Sequence, residues 1–113
     1  MSVIDEDDVF FIKQGDLEPP LEIDVSGSSG DLSGVETWRV IGSRNGTLVF
    51  DEQGTFTPGA NAQSGVVTHT WSAPQTDELG SMDVEARAIW PGGRPQTFPP
   101  KNYCRVVVSE KLA

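Results

Sequence analysis

The chain has 113 residues, enough for one small domain that buries roughly two thirds of the surface its unfolded form exposes. A net charge of −9 argues against recognition of nucleic acid through its phosphates. The longest apolar run, Val9 to Ile12, is four residues against the roughly 20 a membrane-spanning helix needs, and a single cysteine, Cys104, excludes an internal disulfide or a cysteine-built zinc site.

Twelve glycines and eight prolines are spread along the chain as punctuation, which favours many short elements over long helices. Residues 1–8 (MSVIDEDD) read as an acidic flexible arm. They are acidic where a signal or transit peptide would be basic, so export by such a signal is not expected. Eight acids and one base, Lys13, fall within residues 1–24, which therefore carry −7 of the net charge. Two readings of Asp5, Glu6, Asp7 and Asp8 follow: a solvated tail that aids solubility, or an arm docking on a basic partner surface. Consecutive acids lack the alternating spacing and the glycine of a calcium loop.

From residue 9 to residue 110 the pattern predicts one β domain. Val9–Lys13 is a short strand rich in β-formers, and Leu21, Ile23 and Val25 alternate with polar residues behind Pro19-Pro20. Val35–Ser43 is a third strand whose facing the pattern leaves open, with Trp38 and Val40 on one side and Val35, Thr37, Arg39 and Ile41 on the other. Asn45-Gly46 marks a hairpin into Thr47–Phe50, since both central residues of a type I′ turn need positive φ. Residues 51–65 read as a loop with a brief extended piece at Thr55–Thr57, and Val66–Ser72 as a strand with Val67, His69 and Trp71 on one face. Residues 73–80 are a polar connection. Ser81–Trp90 alternates most cleanly, Met82, Val84, Ala86, Ala88 and Trp90 facing one way. After a turn at Pro91–Arg94 and a short return at Pro95–Phe98, Tyr103–Glu110 is the last strand, and residues 111–113 form a loose tail. Six to eight short strands with turn signals between them point to an antiparallel β-sandwich.

The residues carry little that speaks of catalysis. His69, the lone histidine, sits mid-strand without a nucleophile motif around it and reads as a packed side chain. Cys104 on a valine-rich strand reads as a small buried hydrophobe. The glycines fall in turns, with no strand–loop–helix context for a phosphate cradle. The expectation is a protein that is not an enzyme, with no catalytic residues, no metal and no cofactor. Trp38, Trp71 and Trp90 read first as core anchors, each burying on the order of 150–250 Å². An aromatic platform for sugar is the alternative.

The order of motifs resembles a phage tail family, the one containing the N-terminal domain of the baseplate upper protein of phages that infect Gram-positive hosts. The resemblance runs through Ile12-Lys13-Gln14-Gly15-Asp16, Pro19-Pro20-Leu21-Glu22-Ile23 and Gly30-Asp31-Leu32-Ser33-Gly34. It continues through Gly65-Val66-Val67 to Trp71, Thr76-Asp77 with Gly80, Pro91-Gly92-Gly93-Arg94 and Thr97-Phe98-Pro99, and closes with Tyr103 and Val106 to Val108. It spans about residues 10–109. Thr37 and Arg39 depart from it, standing where apolar residues belong. The resemblance implies an immunoglobulin-like sandwich serving as a structural unit of a tail tip or baseplate. The family's domain usually heads a longer receptor-binding or adaptor chain, so the expectation here is an assembly piece.

The expected function is thus a structural virion protein acting through contacts with other virion proteins and with copies of itself, without nucleic acid or membrane insertion. A carbohydrate-binding adsorption module, and a capsid decoration or head–tail joining protein, are the alternative readings. Val9–Lys13 and Tyr103–Glu110 are the expected edge strands. Phe10, Phe11, Val106 and Val108 would form the apolar centre of a contact, with Asp5, Glu6, Asp7 and Asp8 at its rim.

Overall fold

Period-two alternation becomes two stacked sheets in the computed structural model, which describes residues 3–4, 9–26, 30–98 and 104–112. In chain order the strands are β1 (Val3–Ile4), β2 (Val9–Lys13), β3 (Leu21–Asp24), β4 (Thr37–Arg44), β5 (Thr47–Gln53), β6 (Thr55–Pro58), β7 (Gly65–His69), β8 (Gly80–Trp90), β9 (Arg94–Phe98) and β10 (Cys104–Ser109). A 3₁₀ turn covers Leu32–Gly34, and a single helical turn, α1, covers Ala73–Thr76. One sheet has the order β1-β3-β7-β6. The other has the order β2-β10-β8-β4-β5, with β9 also paired to β8. Because β4 occupies one side of β8, β9 (opposite Ala86–Trp90) and β10 (opposite Gly80–Val84) share its other side.

The all-β sandwich is as expected, but its pairing is mixed. β2 runs parallel to β10, with Phe10 opposite Val106 and Ile12 opposite Val108, and β1 runs parallel to β3. Parallel neighbours need a long crossover. Between β2 and β10 that crossover is nearly the whole domain, which no local pattern announces. In the stretch 51–65, the extended piece expected at Thr55–Thr57 is β6, and what the pattern missed is that β5 runs on past Phe50 to Gln53, one residue short of it. β5 is an edge strand with five of its seven residues exposed, so the alternation that betrays a half-buried strand is missing.

The core lies between the sheets. Leu21, Ile23 and Val67 from one sheet meet Val40, Val84, Ala86 and Val106 from the other, all fully buried. The open question of β4 is resolved by Trp38, Val40 and Gly42 facing inward, leaving Arg39 outside to pair with Asp51 at 2.9 Å. Aromatic rings bridge the layers. Trp38 stacks on Phe56 at 5.1 Å and tilts against Phe98 at 5.9 Å. Phe50 stacks on His69 at 4.4 Å, and Trp71 sets its ring edge-on to both and 6.0 Å from Phe10.

Two turns show why their residues are needed. Asn45 (φ 51°) and Gly46 (φ 78°) have the two positive angles of the expected type I′ hairpin. At Gly54 the chain passes from one sheet to the other, its N–H donating to the Trp38 carbonyl at 2.9 Å. A Cβ there would stand 2.5 Å from Val67 Cγ1 and 2.9 Å from Val40 Cγ2, so only glycine permits the crossing.

Candidate interaction surface

Each sheet border exposes backbone donors and acceptors to any strand that approaches, and most borders here are guarded. β5 carries Asp51 and Glu52 and is broken by a bulge, where Gly42 faces Phe50 and Ser43 faces Leu48, leaving Val49 unmatched. β6 ends in Pro58 and β9 contains Pro95, residues with no N–H to offer. β1 is two residues long. β2 differs from all of them. Its five residues hold neither proline nor bulge, and among the described residues no strand pairs with its outer side.

The inside-outside alternation of β2 separates the residues that the sequence grouped as one contact. Phe10 and Ile12 point into the core, whereas Val9 and Phe11 point out, Phe11 being 68% exposed. Val106 and Val108 are buried on β10, which lies between β2 and β8 rather than at a border. Phe10, Val106 and Val108 are therefore core residues and lend no surface to a partner: adjacent residues of a strand face opposite ways. Of the four apolar candidates Phe11 alone remains on the surface. Val9, 41% exposed, joins it. Val107, opposite Phe11 on β10, is half-buried beside them. A shallow hollow lined by Phe11, Ile12, Lys13 and Ser109 adjoins this edge. Asp5, Glu6, Asp7 and Asp8 lie outside the described residues.

The family-like motifs mostly serve the ends of the sandwich. The Gln14-Gly15 turn after β2 is tied to α1, with Gly15 N–H donating to the Thr76 carbonyl at 3.0 Å and Gln14 Nε2 to that of Asp77 at 2.7 Å. At the opposite end, the Asp31 carboxylate accepts from Ser33 N–H (2.9 Å) and Oγ–H (2.7 Å) to start the 3₁₀ turn, and these bonds hold its pKa below the usual value. Trp90 leans on Gly30 and Gly34, where a Cβ would come within 3.3 and 3.4 Å of its ring, and donates through Nε1 to Gln96 Oε1 at 3.0 Å. Trp38 and Trp71 are buried, so Trp90, half-buried, is the tryptophan with some surface left.

His69 sits on the inner face of β7, 1% exposed. Its Nε2 is 2.9 Å from Gln75 Oε1, an oxygen that also accepts from Ser72 N–H at 3.1 Å. A carboxamide oxygen only accepts, so Nε2 carries the proton and Nδ1 faces Glu52 Oε1 at 3.8 Å. Burial lowers the His69 pKa, against smaller opposing effects of the Gln75 bond and the Glu52 charge. The arrangement fixes α1 to the core. Among the described residues no three of His, Cys, Asp and Glu come together as a metal would require.

No family model matches the chain, and no curated protein matches it. Among solved structures, the N-terminal domain of phage TP901-1 ORF48 aligns with a TM-score of 0.58 and 11% identity, over 95% of this chain and 94% of that one. CopC from Methylosinus trichosporium OB3b aligns at 0.46 with 12% identity, over 92% and 86%. The fibronectin(III)-like modules of Clostridium thermocellum CbhA align at 0.41 with 16% identity, over 92% and 88%. The first likeness spans both chains almost end to end, and what it establishes is the fold: a β-sandwich similar to the N-terminal domain of a phage protein.

Proposed function

We propose that the protein is a structural component of a phage virion, built into the tail tip or baseplate and working through protein–protein contacts rather than chemistry. The reading is carried by the near full-length likeness to a phage protein's N-terminal domain, and the order of tail-family motifs along the chain supports it. The architecture is consistent with that work: a small rigid sandwich whose border strand β2 offers backbone groups and an exposed aromatic to a neighbour. Its partners are then other tail proteins and further copies of the chain.

The test is biochemical purification of phage particles from an infected culture whose phage encodes the chain, followed by quantitative mass spectrometry of intact virions and of separated heads and tails. The expected result is a fixed stoichiometry in the tail fraction. Absence from the particles overturns the proposal, and enrichment in heads moves the protein to a capsid or head–tail joint. Protection of Trp90 from iodide quenching by cell-wall polysaccharide would favour adsorption to sugar instead.

A further inference from the structure

We infer that His69 is a proton-operated clamp: on taking a proton at Nδ1 it keeps its bond to Gln75 and closes on Glu52, tying the β5 border of one sheet to β7 of the other. The inference stands on the interior of the fold and is independent of the chain's place in a virion.

Three observations lead there. First, the bonding of the ring is defined. Gln75 Oε1 accepts from Ser72 N–H at 3.1 Å, which identifies that atom as the carboxamide oxygen, so the His69 Nε2 that lies 2.9 Å from it carries the proton. Nδ1 is then the nitrogen left to take a second one. An imidazolium donates through both nitrogens, so the Gln75 bond survives the change.

Second, Nδ1 has a counter-ion in reach. Glu52 Oε1 stands 3.8 Å away, and a charge-assisted N–H···O bond is roughly 2.7–2.9 Å, so closure takes a movement of about 1 Å. The Glu52 side chain is 47% exposed and has room for that movement, whereas the buried ring is held in place.

Third, the other groups around the ring leave this task to Glu52. β3 sets Leu21 opposite it, and β5 stacks Phe50 on it at 4.4 Å. Trp71 stands edge-on at 4.9 Å, and α1 offers the uncharged Gln75. Asp51, the neighbouring acid on β5, is bound outside the sheet by Arg39 at 2.9 Å. The Glu52 charge favours the proton on His69, against the burial that opposes it. Since β5 borders the six-stranded sheet and β7 lies within the other, the closed pair joins the two layers. The imidazolium is thus accommodated inside the folded protein at less cost than burial without a partner would impose.

The experiment follows the His69 ring of the ¹⁵N-labelled full chain by long-range proton–nitrogen NMR from about pH 8 to about pH 4.5, a range that spans the ordinary imidazole titration. Glu52→Gln and Glu52→Ala are measured beside it. Expected at neutral pH is a proton on Nε2 alone. As the pH falls, a second, slowly exchanging proton should appear on Nδ1, while the Ser72 and Gln75 amides, which hold the start of α1, keep their protection. Glu52→Gln should shift the midpoint of this titration to lower pH and Glu52→Ala further, with loss of the slow Nδ1 proton in the latter. Both variants should keep the parent's urea midpoint near pH 8, because Glu52 is half exposed, and lose more of it in acid.

A titration midpoint unmoved by both substitutions would strip Glu52 of its role and overturn the clamp. Loss of Ser72 and Gln75 protection in step with the parent's titration would show that His69 charges by opening of α1, and would overturn it as well. A proton on Nδ1 at neutral pH would reverse the bonding of the ring, and unfolding before any second ring proton appears would leave no closed state; each sinks the proposal.

Discussion

At one border of the six-stranded sheet, β5 points Phe50 inward and holds Asp51 outside against Arg39; at the other, β2 points Phe10 inward and leaves Phe11 bare. Inside, the two borders are alike. Phe50 and Phe10 both reach Trp71, at 6.1 and 6.0 Å, so each closes one flank of the same aromatic group. Outside they are opposites: a bulged strand bearing Asp51 and Glu52 on one flank, and on the other a strand that exposes Val9 and Phe11 and that, among the described residues, has no partner on its outer side. Structural need is thus shared by the two borders while availability for contact is not. Burial and exposure have to be read separately along a single strand, since neighbouring residues serve different ends.

The comparison can be broken most forcefully from the inside. Phe50→Ala and Phe10→Ala should each cost about 3–5 kcal/mol of unfolding free energy by urea titration, because each empties a packed aromatic site. A Phe10→Ala cost below about 1 kcal/mol would show that the β2 flank is not part of the core. Next, Gly42→Ala should cost about 1–3 kcal/mol, since its Cβ would stand 2.4 Å from the Phe50 ring. The loss should shrink when the ring is also cut back in Gly42→Ala/Phe50→Leu. An unchanged loss in the double variant would put the cause in the backbone.

A smaller effect belongs to pH. The His69 pKa is lowered in the folded protein, so below the ordinary value of 6.5 the unfolded chain binds a proton that the folded chain resists. Stability should therefore fall as pH drops below about 6.5, before the carboxylates titrate. His69→Gln should flatten that part of the urea-midpoint profile, and an equally steep profile in the variant would place the dependence elsewhere.

The smallest effects separate the outer surfaces. Asp51→Asn should cost less than about 1 kcal/mol and lose even that in high salt, as expected of an exposed pair. Phe11→Ser should change stability by no more than about 0.5 kcal/mol. A larger loss on Phe11→Ser would mean the residue is covered in the free protein, contrary to its 68% exposure.

Much of this fold was legible before any coordinates. Ser81–Trp90, Leu21–Val25 and Val66–Trp71 alternate as half-buried strands must, and Asn45-Gly46 states its own turn. His69 and Cys104 read as packed residues, and both are buried. The contact surface was half legible: β2 was identified as an edge, but Phe10, Val106 and Val108 were grouped with Phe11 although alternation sends them inward. That correction was available in principle from the period of the strand. The position of β10 was not, because a strand's neighbours are chosen by other strands.

The sequence alone determined the class of structure, the Asn45-Gly46 turn and the inward faces of β3, β7 and β8, because those follow from local backbone preference and the alternation of apolar side chains. Only the tertiary structure decided that β2 lies parallel to β10, that the chain changes sheets at Gly54, and that, among the described residues, no strand pairs with the outer side of β2. Those outcomes depend on which distant segments meet, and the free energy of such meetings belongs to both partners at once.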